Sequence, residues 1–334
     1  MRQPTLEEVA ARAGVSKMTA SRALRGARDV SAASIEKVKT AAEQLGYVGN
    51  QLALSLSSRR TNLIGVVIPS MSNIVFPEVL GGIITGLEGS GLQPVFGVSD
   101  YDLDKERDII RNMLSWQPAA LIITGLDQPE ETRKLLRQSD IPVIQIMDLD
   151  GEPIDFVVGL SHTQAGSDMA EAILASGRKR IGYIGSAVDR DRRAIKRRAG
   201  FEAALQDNGL TFVSVETSLD ASSSRLGRDL TERLLARHPD LDCIYCSNDD
   251  MAAGSLFACM KLGRDVPGDI LIAGFNGLEI TSALPVRIAT STSPRRAIGE
   301  QAAQLALAAM NGNGKDLARR IELRAEITLG DAEK

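Results

Sequence analysis

Lys17, Met18 and Arg22 fall on the outward side of one short helical stretch, Lys17 to Leu24, whose inward side is Ala20, Ala23 and Leu24. A guanidinium can bond guanine O6 and N7 together, and a thioether can pack on a thymine methyl, so these residue types suit the reading of base edges. Ser16, Thr19 and Ser21 bring short hydroxyls that reach phosphate oxygens, where contacts position a protein without reading sequence. Each has a plainer alternative: Ser16 caps the helix, and Thr19 and Ser21 belong to a solvated face.

A second polar set sits where apolar runs end. Ser70 and Asn73 follow one such run, Thr124 and Asp148 follow two more, Asn248 and Asp249 follow LDCIYCS, and Asn276 follows ILIAGF. Carboxylates and amides in those places suit sugar hydroxyls. Phe76 either stacks on a sugar ring or fills the core, and Asp249 either binds ligand or caps its helix.

The elements that must hold the first set begin at Thr5. Leu6, Val9 and Ala10 share one helical face. Gly14 permits the left-handed turn that ends this helix, and Ser16 starts the next. The pattern is a helix-turn-helix, with its second helix shaped for a DNA major groove. A third helix is expected from Ala32 to Leu45, capped by Ser31 and stopped by Gly46. Three short helices make a mini-domain of marginal stability.

From Asn62 the chain alternates short apolar strands with amphipathic helices, and the rhythm restarts near His162. Two such runs predict two parallel-sheet, Rossmann-like lobes with helices on both faces, so the fold class is an all-α head plus a two-lobed α/β core. Ligands of such lobes sit beyond the carboxyl ends of the strands, where the second polar set falls. Val75–Leu87 is a candidate dimer helix, or a core one.

Composition agrees with the division of labour. The 334 residues carry a net charge of −4, but residues 1–60 hold 10 Lys and Arg against 5 Asp and Glu, and the remainder 29 against 38. A basic head on an acidic body implies that only the head meets a polyanion. The three cysteines are too few for a disulfide framework, and Cys243-x-x-Cys246 reads as a buried strand. No zinc site is completed, so neither metal nor cofactor is expected. His162 and His238 form no catalytic triad, and the glycine pairs are not phosphate loops, so an enzyme is not expected. Without an apolar leader or a run of about 20 apolar residues, the expected location is the cytoplasm.

Tyr47 to Arg60 connects head and core. Asn50–Leu56 has enough leucine for two helical turns, too few to persist alone in water.

Thr5-Leu6-x-x-Val9-Ala10, Ala13-Gly14-Val15-Ser16, Thr19-x-Ser21-Arg22, Val30-Ser31, Leu45-Gly46-Tyr47 and Asn50-x-x-Ala53-x-x-Leu56, ahead of two β-α lobes, resemble the lactose-repressor family of transcription regulators. Lys17-Met18-Thr19, Val75-Phe76-x-Glu78-Val79-Leu80, Met113-Leu114-Ser115-Trp116 and Asn248-Asp249-Asp250-Met251-Ala252 are most similar to the branch that represses gluconate and related sugar-acid operons. The resemblance implies a homodimer on a pseudo-palindromic operator, released or engaged by a small sugar or sugar acid. It implies a periplasmic-binding-protein-like core and four parts: head 1–46, hinge 47–61, a first lobe of 62–160 with 291–320, and a second of 161–290 with 321–334. It adds Thr5, Asn50, Ala53 and Leu56 to the DNA-binding set, with Leu56 as a minor-groove wedge. It matches Arg197 to a basic effector-binding position, where a guanidinium forks onto a carboxylate. Lys196 and Arg198 read instead as solvated. Transport-type sugar binders share the two-lobed fold, but the basic head argues against that class.

Overall fold

A computed structural model describes residues 4–24, 27, 29–47, 61–186, 189–313 and 316–333. The chain divides into two units, Met1–Thr61 and Asn62–Lys334. The expected hinge, with Asn50, Ala53 and Leu56, lies outside the described residues.

In the first unit α1 (Leu6–Ala13), α2 (Lys17–Leu24) and α3 (Ala32–Leu45) close on Val9, Ala10, Ala20, Ala23 and Val38. Their ends are written in the sequence. The Thr5 hydroxyl accepts from Glu8 N–H while the Glu8 carboxylate accepts from Thr5 N–H, which satisfies two free donors at once. Gly14 at φ 67° turns the chain out of α1, and Gly46 at φ 64° does the same after α3.

The second unit holds two six-stranded sheets. β1 (Leu63–Ile68), β2 (Gln93–Val98), β3 (Ala120–Thr124), β4 (Val143–Ile146), β5 (Phe156–Gly159) and β11 (Arg320–Glu322) form the first, ordered β11-β5-β4-β3-β1-β2 and parallel throughout. β6 (Ile181–Gly185), β7 (Ser214–Thr217), β8 (Cys243–Cys246), β9 (Leu271–Asn276), β10 (Ala289–Thr292) and β12 (Glu326–Thr328) form the second, ordered β12-β10-β9-β8-β6-β7, with β12 alone antiparallel.

Strand alternation assigns the two faces. Ile64, Val66 and Ile68 pack under α4 (Val75–Leu87) and α12 (Arg295–Ala308), while Val67 packs with Ile110, Met113 and Leu136 of α5 (Leu103–Ser115) and α6 (Glu130–Arg137). The second sheet is covered on one face by α7 (His162–Ala175) and α8 (Arg192–Asp207), and on the other by α9 (Ser224–Arg237) and α10 (Asp249–Lys261). A short α11 (Ile280–Ala283) follows β9. Cys243 and Cys246 face opposite sides of β8, as residues three apart on a strand must, and all three thiols are buried and free.

The backbone crosses between the sheets after β5, after β10 and after β11. Two expected boundaries therefore shift. Ser291 and Thr292 stay in the second sheet, because they continue the pairing of β10 with Phe275 and Asn276. Ile321 and Glu322 stay in the first, paired with Val158 and Gly159.

Candidate functional site

α2 presents its polar residues to solvent. Met18 is 70% exposed and unpartnered by the core. Lys17 pairs with Glu7, and Arg22 with Asp29, both as exposed ion pairs. Ser16 caps α2 by accepting from Thr19 N–H at 3.1 Å, and its hydroxyl lies 2.9 Å from that of Thr19. Ser21 is half-buried on the same helix.

The second unit contains a cleft at the carboxyl ends of β1, β2 and β3, with about 430 Å³ of open space. One wall is Ser99, Tyr101, Glu106, Thr124 and Gln128; the other is Arg190, Arg192 and Arg193, leading into α8. Asp100 at φ 54° and Tyr101 at φ 62° are left-handed without being glycine, a conformation that costs energy and swings Tyr101 over the cleft. The Tyr101 hydroxyl accepts from Asn73 Nδ2 at 3.0 Å. Burial raises its pKa above the ordinary phenol value, against the charge of Arg193. The Arg193 guanidinium also lies 5.7 Å from the Phe76 ring centre.

Behind Glu106 runs a line of amides with one allowed direction. Ile154 N–H donates to Gln145 Oε1 at 2.7 Å, so the Gln145 NH2 faces the other way and donates to Gln128 Oε1 at 2.7 Å. The Gln128 NH2 is then turned towards Glu106 Oε1, at 3.2 Å. The same NH2 reaches the carbonyls of Thr124 and Gly125 at 3.3 Å each.

Between the lobes two polar links replace apolar packing. Lys196 of α8 pairs with Asp148 after β4 and, at 3.3 Å, with Asp127 after β3. Burial works against the Lys196 charge, but its carboxylate partners, Asp148 foremost, hold its pKa above the usual range. Arg197 lies one residue further on and is buried. Its Nη1 is 3.0 Å from His162 Nδ1, its Nη2 donates to the Ser247 carbonyl at 2.9 Å, and its guanidinium stacks 3.9 Å from the Phe275 ring centre. Burial, then the Arg197 charge, keeps His162 far below its ordinary pKa. The neutral ring thus accepts from Arg197 and donates from Nε2 to the Met147 carbonyl at 2.8 Å, which joins second lobe to first.

Residues 5–50 match the profile of bacterial regulatory proteins of the lacI family. Residues 61–324 match that of periplasmic binding proteins and the sugar binding domain of the LacI family. The chain belongs to the LacI family. The HTH-type transcriptional regulator GntR of Pseudomonas aeruginosa is 40% identical, over 93% of this chain and 90% of its own length. The GntR of Escherichia coli K12 is 37% identical over 93% of each. A LacI-family transcriptional regulator from Silicibacter pomeroyi superposes with a TM-score of 0.93 at 45% identity, over 98% of both chains. The molecule is a DNA-binding transcription regulator with a sugar-binding core, and regulators of this family are not enzymes.

Within this LacI-family chain, the residues expected to bind effector separate into three groups. Thr124 lines the cleft, and Asn73 and Phe76 stand behind Tyr101 and Arg193. Asp148 and Arg197 are engaged in the links between lobes. Ser70, Asn248, Asp249 and Asn276 are committed to their own loops. The Ser70 hydroxyl accepts from Asn73 N–H at 3.1 Å, and Asn248 caps α10 by accepting from Met251 N–H at 3.1 Å. Asp249 accepts from Leu278 N–H and the Thr290 hydroxyl at 2.7 Å each, with burial pushing its pKa up to about 6. The Asn276 carbonyl accepts from Arg295, whose guanidinium also grips Glu78.

Sequence reasoning missed Ser99, Tyr101, Glu106, Gln128 and Arg193. The strand-end rule would have found Ser99 and Tyr101 had it been applied to PVFGVS as it was to the other runs. Lys196, read as solvated, is the ion-pair bridge instead. Among the described residues no helix is long and apolar enough to cross a membrane, and no cluster of His, Cys, Asp and Glu is arranged for a metal.

Proposed function

We propose that the protein is a cytoplasmic homodimeric repressor whose grip on a pseudo-palindromic operator is set by a small sugar acid, gluconate or a near relative. The carrying observation is the cleft itself: three arginines on one wall face hydroxyls, an amide and a carboxyl on the other. That pairing suits a ligand that is anionic at one end and polyhydroxylic along its length. The cleft takes arginines from α8 and acceptors from the first lobe, so a ligand touching both changes the relation of the lobes. Coupling to DNA then follows by linkage.

At the head, Lys17, Met18 and Arg22 read bases, while Ser16, Thr19, Ser21 and Asn50 hold phosphates. Thr5 sets the start of α1 through its capping pair and contacts the backbone from there. Ala53 and Leu56 act in the hinge, where Leu56 wedges the minor groove. The second subunit is met partly through α4, whose buried face packs on α12 while Ile74 and Ile84 remain exposed.

Melting scans against gluconate, ketogluconates, their 6-phosphates and neutral hexoses test the ligand class, since a ligand of the folded state raises the melting temperature. Gluconate-type acids are expected to raise it and to change affinity for operator-bearing genomic fragments. A response to neutral hexoses alone would falsify the sugar-acid reading.

A further inference from the structure

Glu106 stands apart from every other acid in the second unit. Its side chain is buried, with 6% exposure, yet it has no cationic partner in contact. Among the described residues its one side-chain hydrogen bond comes from Gln128, to Oε1. The directed line from Ile154 through Gln145 fixes that bond as a donation to Glu106 and leaves Oε2 uncommitted on the cleft side. A buried acceptor of this kind is expensive to leave unmet unless a ligand meets it.

We propose that Glu106 is the specificity-determining residue of the effector cleft: as a carboxylate it accepts hydrogen bonds from neighbouring hydroxyls of a polyol chain, while the opposite arginines hold the ligand's acid end. The inference rests on the sugar-acid reading for the acid end only. The hydroxyl end stands on Glu106 and its amide line.

The groups around Glu106 give the role a signature. It faces Arg193 from α8, Asp127 and Gln128 from the segment after β3, and Tyr101 from the segment after β2; Arg190 and Arg192 lie at the opposite wall. Burial pushes its pKa up to about 7, against the Gln128 bond and the Arg193 charge. Free protein therefore holds a mixture of acid and carboxylate at neutral pH. Hydroxyl donors favour the carboxylate, so ligand uptake releases a proton. The ligand's own acid group titrates near the ordinary carboxylate range and contributes no slope at neutral pH.

The test is calorimetric titration of the full-length protein with gluconate and, separately, with glucitol, from pH 5.5 to 8.5. Wild-type affinity should rise about tenfold per unit at the acid end and level off above neutrality. Glu106→Gln should bind roughly 10- to 100-fold more weakly at pH 8, with no slope, since bonds to a charged group are the stronger ones. Gln128→Met removes a bond that favours the carboxylate and should move the wild-type midpoint to higher pH; this variant decides the matter if Glu106→Gln does not fold. A flat or falling wild-type profile overturns the proposal, as does a Glu106→Gln protein that keeps the slope. Glucitol binding with the slope while gluconate fails to bind overturns the sugar-acid reading and leaves Glu106 in place. Failure of both ligands sinks the two together.

Discussion

On α2 the residues assigned to DNA stand in the open, whereas in the cleft the residues assigned to effector are enclosed. Met18 is 70% exposed and Glu106 is 6% exposed. Lys17 and Arg22 are held by surface ion pairs, each worth about 1 kcal/mol or less and easily exchanged for phosphate or base contacts. Glu106, Gln128 and Gln145 hold one another through a line of buried bonds that nothing in solvent replaces. The size of the partner explains the contrast. A DNA duplex is a surface, and a small helix need only be displayed to it. A sugar acid must be surrounded, so its receptors are buried polar groups that must satisfy each other when it is absent. Function at the head is therefore separable from stability, and function at the cleft is not.

The sharpest way to break this contrast is at the crossing of α7 and α8. A methyl on Gly200 would collide with the Thr163 carbonyl, and one on Gly166 with the Arg197 carbonyl. The two helices meet backbone to backbone, and this contact sets where His162, Arg193 and Arg197 stand. Gly200→Ala should lower the unfolding free energy of the second unit by about 3 kcal/mol and abolish effector binding with it. Calorimetric unfolding that matches wild type would show that the cleft does not depend on this crossing.

Next in size is Arg193→Met, which removes the guanidinium nearest Phe76 and Tyr101. Sugar-acid affinity should fall by about 2–3 kcal/mol, roughly 30- to 150-fold, while operator affinity in the absence of effector stays as it is. A direct titration reads the first, and a binding curve on labelled operator the second. Arg22→Ala belongs to the other side of the comparison. Cognate operator affinity should fall by about 1–2 kcal/mol, with a much smaller loss on unrelated duplex and no change in melting temperature. A drop in melting temperature as large as the loss in binding would mean that the head, too, mixes function with stability.

The same contrast decides what could be read in advance. Capping and turn residues act within four positions of each other, so Thr5, Gly14, Ser16, Ser31 and Gly46 announced α1, α2 and α3 from sequence alone. Apolar runs announced the strands, and their restart near His162 announced a second sheet. The reading helix was legible because its outward residues are simply those that the helical period leaves over. The cleft was legible only as a location. Ser70, Asn248 and Asp249 are polar at strand ends for a local reason, to cap or staple loops, and sequence does not separate that duty from ligand binding. Arg193 and Arg197 lie one helical turn apart on α8, yet one opens onto the cleft and the other is buried against His162 and Phe275. Which is which depends on segments more than 30 residues away. Gln145 and Gln128 gain their roles only when β4 and the segment after β3 come side by side.

The smallest effect follows from keeping a carboxyl buried. Glu106 titrates near 7 in the folded chain against an ordinary value of 4.5, so its folded-state pKa is raised. At pH below 4.5 it is protonated in both states and its contribution is fully present. As pH rises from 4.5 through 7 the unfolded chain releases the proton more readily, and that contribution is lost. Glu106→Gln cannot ionise and escapes the loss. The variant should melt with wild type near pH 4.5 and a few degrees above it near pH 8, the reverse of its expected effect on effector affinity. Asp249, pushed up to about 6, adds the same sign over a lower pH span in both proteins and cancels in the difference. No comparable gain should come from Met18→Gln or Lys17→Gln at any pH, because neither residue on α2 carries a buried charge. If Glu106→Gln instead melts below wild type near pH 8, the cleft acid supports the fold, and the separation drawn between the two regions fails on its buried side.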